Sequence, residues 1–173
     1  SADVFKMEPD MSGGAGLIEL VTGPMPYRSA RLVIIKMLGW IRENGYTSDR
    51  ASIHLNMSFN PDYLEDRNMI QHMNVMKFIL EFDEARIYKY FPNREDSTYA
   101  KSIKWIMPKH EAFYYNENMV NKDNFTFANT KYYGINFEKA QNNYLEFRYL
   151  GGKNYEKRAD DILHLADGFI MSI

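Results

Sequence analysis

The chain has 173 residues, with 21 basic and 23 acidic side chains for a net charge of −2. That length supports one domain with a substantial core, and the charge balance argues against a domain built chiefly for nucleic acid or anionic membranes. No apolar run approaches the ~20 residues of a membrane helix, S-A-D-V-F-K lacks a basic region followed by a hydrophobic signal core, and the absence of cysteine excludes disulfides and thiolate metal sites. These features predict a soluble, cytoplasmic protein in which any metal is held by carboxylate, imidazole or carbonyl groups.

In chain order, S-G-G-A-G reads as a glycine-rich turn, and Gly16–Thr22 as a strand in which Glu19 interrupts an apolar run. G-P-M-P breaks the chain, because proline fixes φ and removes a donor. From Tyr27 to Asn44, Ala30, Val33, Ile34, Met37, Leu38 and Ile41 recur at helical spacing, with Ser29 as a capping candidate and Asn44-Gly45 as the stop. Ala51–Phe59 alternates as a strand, with Ile53, Leu55, Met57 and Phe59 on one face and Ser52, His54, Asn56 and Ser58 on the other.

A second helix is predicted over roughly Arg67 to Tyr90, burying Ile70, Met73, Met76, Ile79, Leu80 and Ile87 and ending at Phe91-Pro92-Asn93. The Tyr-, Asn- and Lys-rich stretch from Arg94 to Asn129 reads as a short helix near Thr98–Trp105 followed by a long loop. Two strands, Tyr132–Phe137 and Tyr144–Leu150, are joined by E-K-A-Q-N-N, which reads as a hairpin connection. In the second, Leu145, Phe147 and Tyr149 alternate with Glu146 and Arg148. After Gly151-Gly152 a last helix runs from about Tyr155 to Ile170, with Ala159, Ile162, Leu163, Ala166 and Ile170 as its stripe. Clean alternation predicts an α+β architecture: an antiparallel sheet, helices packed on one face, and an open polar face.

That polar face concentrates the chemistry. Glu19 fits either a solvated strand position or a ligand, since an ionised carboxylate is expensive to bury unpaired. His54 fits a surface or hydrogen-bonded side chain as well as a ligand, Glu146 and Arg148 at i and i+2 can screen each other, and Arg94 follows a proline in a turn. Together, two carboxylates, an imidazole and guanidinium groups suit Mg²⁺ and a phosphoryl anion. G-x-x-x-x-G-K-[ST], G-x-G-x-x-G, H-E-x-x-H and G-x-S-x-G are absent, and His72, His110 and His164 have no ligand spacing. Basic residues interleaved with Tyr around Arg86–Lys104 hint at RNA, but the acids among them favour a solvated surface.

The ordered segments D-M-S-G-G-A-G-L-I-E-L-V-T-G-P-M, S-I-H-L-N-M-S-F, F-P-N-R-E-D-S-T-Y-A, Y-Y-G-I-N-F and N-Y-L-E-F-R-Y-L-G-G, spanning about Asp10 to Gly152, resemble the amidoligases, carboxylate–amine ligases related to glutamine synthetase. The resemblance implies a glutamine-synthetase-like sheet in one domain over 1–173, with ATP and Mg²⁺ as cofactors and a small-molecule or peptide carboxylate and an amine as substrates. By matching motif, Glu19, His54 and Glu146 are the implied metal ligands. His54, Asn56 and Arg148 are the implied nucleotide contacts, and Arg148 and Arg94 the implied catalytic contacts to phosphate and carboxylate. Two departures stand out. Nothing before Asp10 supplies the family's first strand with its G-x-E-x-E acids, F-K-M-E offering only Glu8, and Asn56 stands where an H-x-H pattern has its second histidine. The alternative expectation is a noncatalytic structural or protein-interaction protein on the same fold, such as a virion-associated phage or mobile-element component.

Overall fold

The computed structural model describes residues 5–10, 16–106 and 130–173, and within these the chain is α+β. The predicted S-G-G-A-G turn, the loop beyond Trp105 and His110 fall mostly or wholly outside the described residues. The chain divides into two compact units: Ser1–Ala51 with Gly151–His164, and Ser52–Leu150 with Leu165–Ile173.

In the first unit β1 (Lys6–Pro9) pairs antiparallel with β2 (Ile18–Val21), in the register Lys6 to Val21, Met7 to Leu20, Glu8 to Glu19 and Pro9 to Ile18. A strand therefore does precede Asp10, carrying one acid, and the sequence reading missed it because four residues are too few to show a period. α1 (Tyr27–Asn44) has the predicted limits. Its N-cap is Pro26, whose carbonyl accepts the Ser29 and Ala30 amides, so Ser29 lies inside the first turn and caps nothing. Leu38 is buried, and Trp40 meets Phe5 edge to face with ring centres 6.2 Å apart. Thr47 organises the rest of this unit: its hydroxyl contacts Glu156 Oε2 and the Gly152 carbonyl and accepts the Tyr155 amide.

The second unit is built on a three-stranded antiparallel sheet, with β5 (Leu145–Gly151) between β3 (Ser52–Met57) and β4 (Ile135–Asn136). β3 alternates as predicted, with His54 and Asn56 exposed and Met57 buried. In β5, Leu145, Phe147 and Tyr149 are fully buried, and Glu146 is covered as well, at 9% exposure. The polar positions of β3 are thus open, whereas those of β5 are closed over. β4 is shorter than the predicted Tyr132–Phe137, because 3-10 turns at Thr130–Tyr132 and Phe137–Asn142 flank it. The second turn is the predicted connection, ended by Asn143 in the left-handed region at φ 60°. Asn143 also joins distant chain: its Oδ1 accepts the Ile70 and Gln71 amides, and its Nδ2 donates to the Arg67 carbonyl.

The helix predicted over Arg67–Tyr90 is instead α2 (Val75–Glu81) and α3 (Glu84–Tyr90). Each has its own side-chain N-cap, Asn74 accepting from the Lys77 amide and Asp83 from the Arg86 amide, and these caps outcompete a continuous helix although the apolar spacing runs through both. The break turns Phe82 inward against Tyr149 (5.9 Å between ring centres), Phe147 and Phe169. Near Thr98–Trp105 there is only a 3-10 turn, Ile103–Ile106, preceded by a parallel bridge from Lys101 to Tyr133. The last helix, α4 (Ala159–Ser172), starts later than predicted, after a separate 3-10 turn at Tyr155–Lys157. It buries Ile162, Leu163, Leu165, Ala166 and Phe169, and Phe169 stacks on Phe147 at 4.6 Å and 9°.

Gly134 is where backbone meets this aromatic core. A Cβ there would lie 1.9 Å from the Tyr149 ring, so glycine is required by close approach. Gly134→Ala is expected to destabilise the protein by ~3 kcal/mol through overpacking, or roughly 6–12 °C in melting temperature for a chain of this size. A melting curve within ~2 °C of wild type would refute the packing described.

Candidate functional site

The polar face of β5 is assembled by register. Asn136 stands opposite Glu146 across the β4–β5 pair, and Arg148 follows two residues on. Glu146 Oε1 accepts from Arg148 Nη1 at 2.8 Å and from Asn136 Nδ2 at 3.3 Å. Asn136 Oδ1 in turn accepts from Thr130 Oγ1 and from the Glu138 amide, both at 3.1 Å, so one side chain caps the turn after β4 and orients the carboxylate. Thr130, Asn136 and Glu146 are all buried. The Arg148 guanidinium lies 6.0 Å from the centre of the Tyr99 ring, which stacks on Tyr132 at 5.7 Å, and its buried Nε has no hydrogen-bond partner.

Arg94 sits in the 3-10 turn Pro92–Arg94 and is 4% exposed. Its Nε donates to the Tyr149 carbonyl at 3.2 Å and its Nη2 to the Arg148 carbonyl at 2.8 Å, so it grips consecutive residues of β5. Burial, and then the neighbouring Arg148 charge, lower its pKa to about 10. Of the residues singled out from sequence, Glu146 and Arg148 form an ion pair, and Arg94 is bonded to the main chain of Arg148 and Tyr149.

The remaining candidates are placed differently. His54 and Asn56 are exposed on β3, with His54 Nε2 3.1 Å from Ser52 Oγ. Glu19 is exposed on β2 in the first unit, opposite Glu8, which pairs with Lys6. Among the described residues no group of three or more His, Asp and Glu side chains is gathered in a way that could hold a metal ion.

Sequence reasoning missed a second polar cluster. Glu84, the first residue of α3, is 3% exposed. Its Oε1 accepts from the Tyr149 hydroxyl and the Ile103 amide, each at 2.8 Å, and lies 3.3 Å from the Tyr88 hydroxyl; its Oε2 accepts from Ser102 Oγ. The helix N-terminus favours a carboxylate at this position. A charged residue beside a buried helical stripe was the available signal, but the continuous helix read over this segment hid it. The Tyr88 hydroxyl also donates to the Ala100 carbonyl at 2.8 Å.

A scan against protein-family models gives no match, and neither do searches of curated proteins and of solved structures.

Two predictions follow from these clusters. Glu146→Ala strands a largely buried guanidinium and is expected to destabilise the protein by ~3 kcal/mol, with much of the loss recovered when Arg148→Met is added; a double variant no better than the single one would deny the pair its bracing role. The second concerns alkali. Burial first, then the nearby carboxylates, raise the Tyr88 and Tyr149 hydroxyls well above the ordinary 10, and burial with Glu156 raises Tyr155 to about 12. A raised folded-state pKa gives stability that is complete below the unfolded value of 10.0 and lost as pH climbs towards the folded one, a window of about 10 to 12 for Tyr155. Arg94, lowered to about 10, acts in the opposite direction over that range, one group against three phenols. Urea midpoints are therefore expected to fall steeply above about pH 10, with delayed tyrosinate absorbance; a flat profile would contradict the burial of these hydroxyls.

Proposed function

We propose that this chain is a structural or protein-interaction module on an α+β fold, in which the polar residues of β5 hold the sheet together. The observation that supports this reading is their internal commitment. Glu146 is bonded to Arg148 and Asn136, and Arg94 spends two donors on adjacent β5 carbonyls. A guanidinium bonded to main-chain oxygens braces a strand, and a carboxylate already holding two donors has less lone-pair capacity for a cation. The partners of such a module are other proteins of an assembly, and a phage or mobile-element particle is a setting that fits.

A second reading is favoured by one finding. In the β1–β2 ribbon Glu8 lies directly opposite Glu19, so two acids from separate segments form a carboxylate pair. Under that reading the chain is an ATP- and Mg²⁺-dependent carboxylate–amine ligase of the amidoligase type. Oxygen donors of this kind suit Mg²⁺. The resemblance implies Glu19 in the first unit, and separately His54 and Glu146 in the second, as metal ligands; it implies His54, Asn56 and Arg148 as nucleotide contacts, and Arg94 and Arg148 as contacts to the acyl-phosphate formed from the carboxylate before amine attack.

Isothermal titration of Mg²⁺–ATP into the wild type and into Glu19→Ala, at an exposed position, separates the two. The structural reading expects no saturable heat in either protein. Saturable binding that the variant loses would overturn it in favour of the ligase.

A further inference from the structure

A cleft of about 230 Å³ opens in the second unit between the first turn of α3 and the turn that carries Ser102 to Trp105. Its buried wall is formed by Glu84 and Tyr88, and its rim by the exposed side chains of Glu95, Lys104 and Trp105. None of these residues belongs to the β5 polar face, and the cleft depends on neither reading above.

Its electrostatics are set by Glu84. Every group bonded to that carboxylate is neutral: the hydroxyls of Tyr88, Ser102 and Tyr149 and the Ile103 amide. Neutral donors spread a carboxylate's charge without cancelling it, so the negative potential extends into the cleft. Glu95 adds to it at the rim. Glu84 and Glu95 line the same cleft as Tyr88, and after burial both raise the pKa of its hydroxyl, with the buried Arg94 guanidinium acting more weakly in the opposite direction. The lining thus carries two carboxylates against one ammonium, that of Lys104. At the mouth stands Trp105, 70% exposed. An indole face is the best aromatic partner for an organic cation, and a carboxylate beside it supplies the countercharge. The volume equals about seven or eight waters at roughly 30 Å³ each, enough for a cationic head and a short alkyl stem.

We infer that this cleft binds a small organic ammonium cation, with Glu95 and the Glu84 field as counter-charge and Trp105 as the aromatic wall. The probe is n-butylammonium, titrated at constant ionic strength into ¹⁵N-labelled protein. The chain has two tryptophans, so Trp40 in α1 serves as an internal reference for the Trp105 indole N–H. Saturable shifts of the Trp105 indole and of the Ser102 and Lys104 amides, with Trp40 still, are expected. Glu95→Gln, a change at an exposed position that leaves the Glu84 bonds intact, is expected to weaken binding about fivefold; n-butanol and n-butyrate are expected to give no saturable shift. An absence of saturation with n-butylammonium, equal shifts with n-butanol, or unchanged affinity in Glu95→Gln would each overturn the inference.

Discussion

The 2.8 Å hydrogen bond from the Tyr149 hydroxyl to Glu84 is the interaction on which the second unit turns. Tyr149 is fully buried in the central strand, its ring lies against Gly134 and stacks on Phe82, and its carbonyl is held by Arg94. One residue therefore links β5, the β4 approach, the helix break and the Pro92–Arg94 turn. A buried phenol requires a partner for its hydroxyl, and the carboxylate at the start of α3 meets that requirement. The same carboxylate takes the Ile103 amide and Ser102 Oγ, fixing the segment that returns towards β4 through the Lys101–Tyr133 bridge.

The polar side of β5 follows a comparable logic. Glu146 and Arg148 are two residues apart on an almost wholly covered strand, so they had to satisfy each other or be satisfied by neighbours. Glu146 is satisfied both ways, by the ion pair with Arg148 and by Asn136, which is simultaneously the cap of the turn following β4, whereas Arg148 is held through Nη1 and leaves its buried Nε without a partner. A change at Asn136 would consequently be felt in the turn and in the ion pair together.

Much of this was legible from sequence wherever period and burial coincide. α1 matched to the residue and β3 alternated as read, whereas β5 has the predicted apolar face but is covered on its polar positions too; Glu146 and Arg148 were read from spacing as a pair that could screen each other, as they do. What stayed hidden was set by local competition and by distant partners. The apolar spacing through Arg67–Tyr90 is helical, yet Asn74 and Asp83 each start a new helix, and a pattern of apolar residues carries no information about caps that interrupt it. Glu84 did not stand out in the sequence because the Tyr149 hydroxyl that accounts for its burial is 65 positions away. The pairing of Glu8 with Glu19 was equally invisible, since four-residue strands have no readable period and their register depends on the partner.

Arg94 and Glu84 form no ion pair with each other. Both are buried, both influence the Tyr88 hydroxyl, and a direct ion pair would be the simplest way to neutralise them. The fold keeps them apart. Arg94 directs its donors to the β5 carbonyls and Glu84 collects hydroxyls and an amide, so each charge is solvated by dipoles in place of a counter-ion. Dipolar solvation of this kind holds a backbone in register at several points, where an ion pair would join only two side chains. It also leaves a residual field of opposite sign at each centre. Around Glu84 that field is directed towards the open space beside Trp105, so the carboxylate that secures Tyr149 also sets the polarity of the cleft.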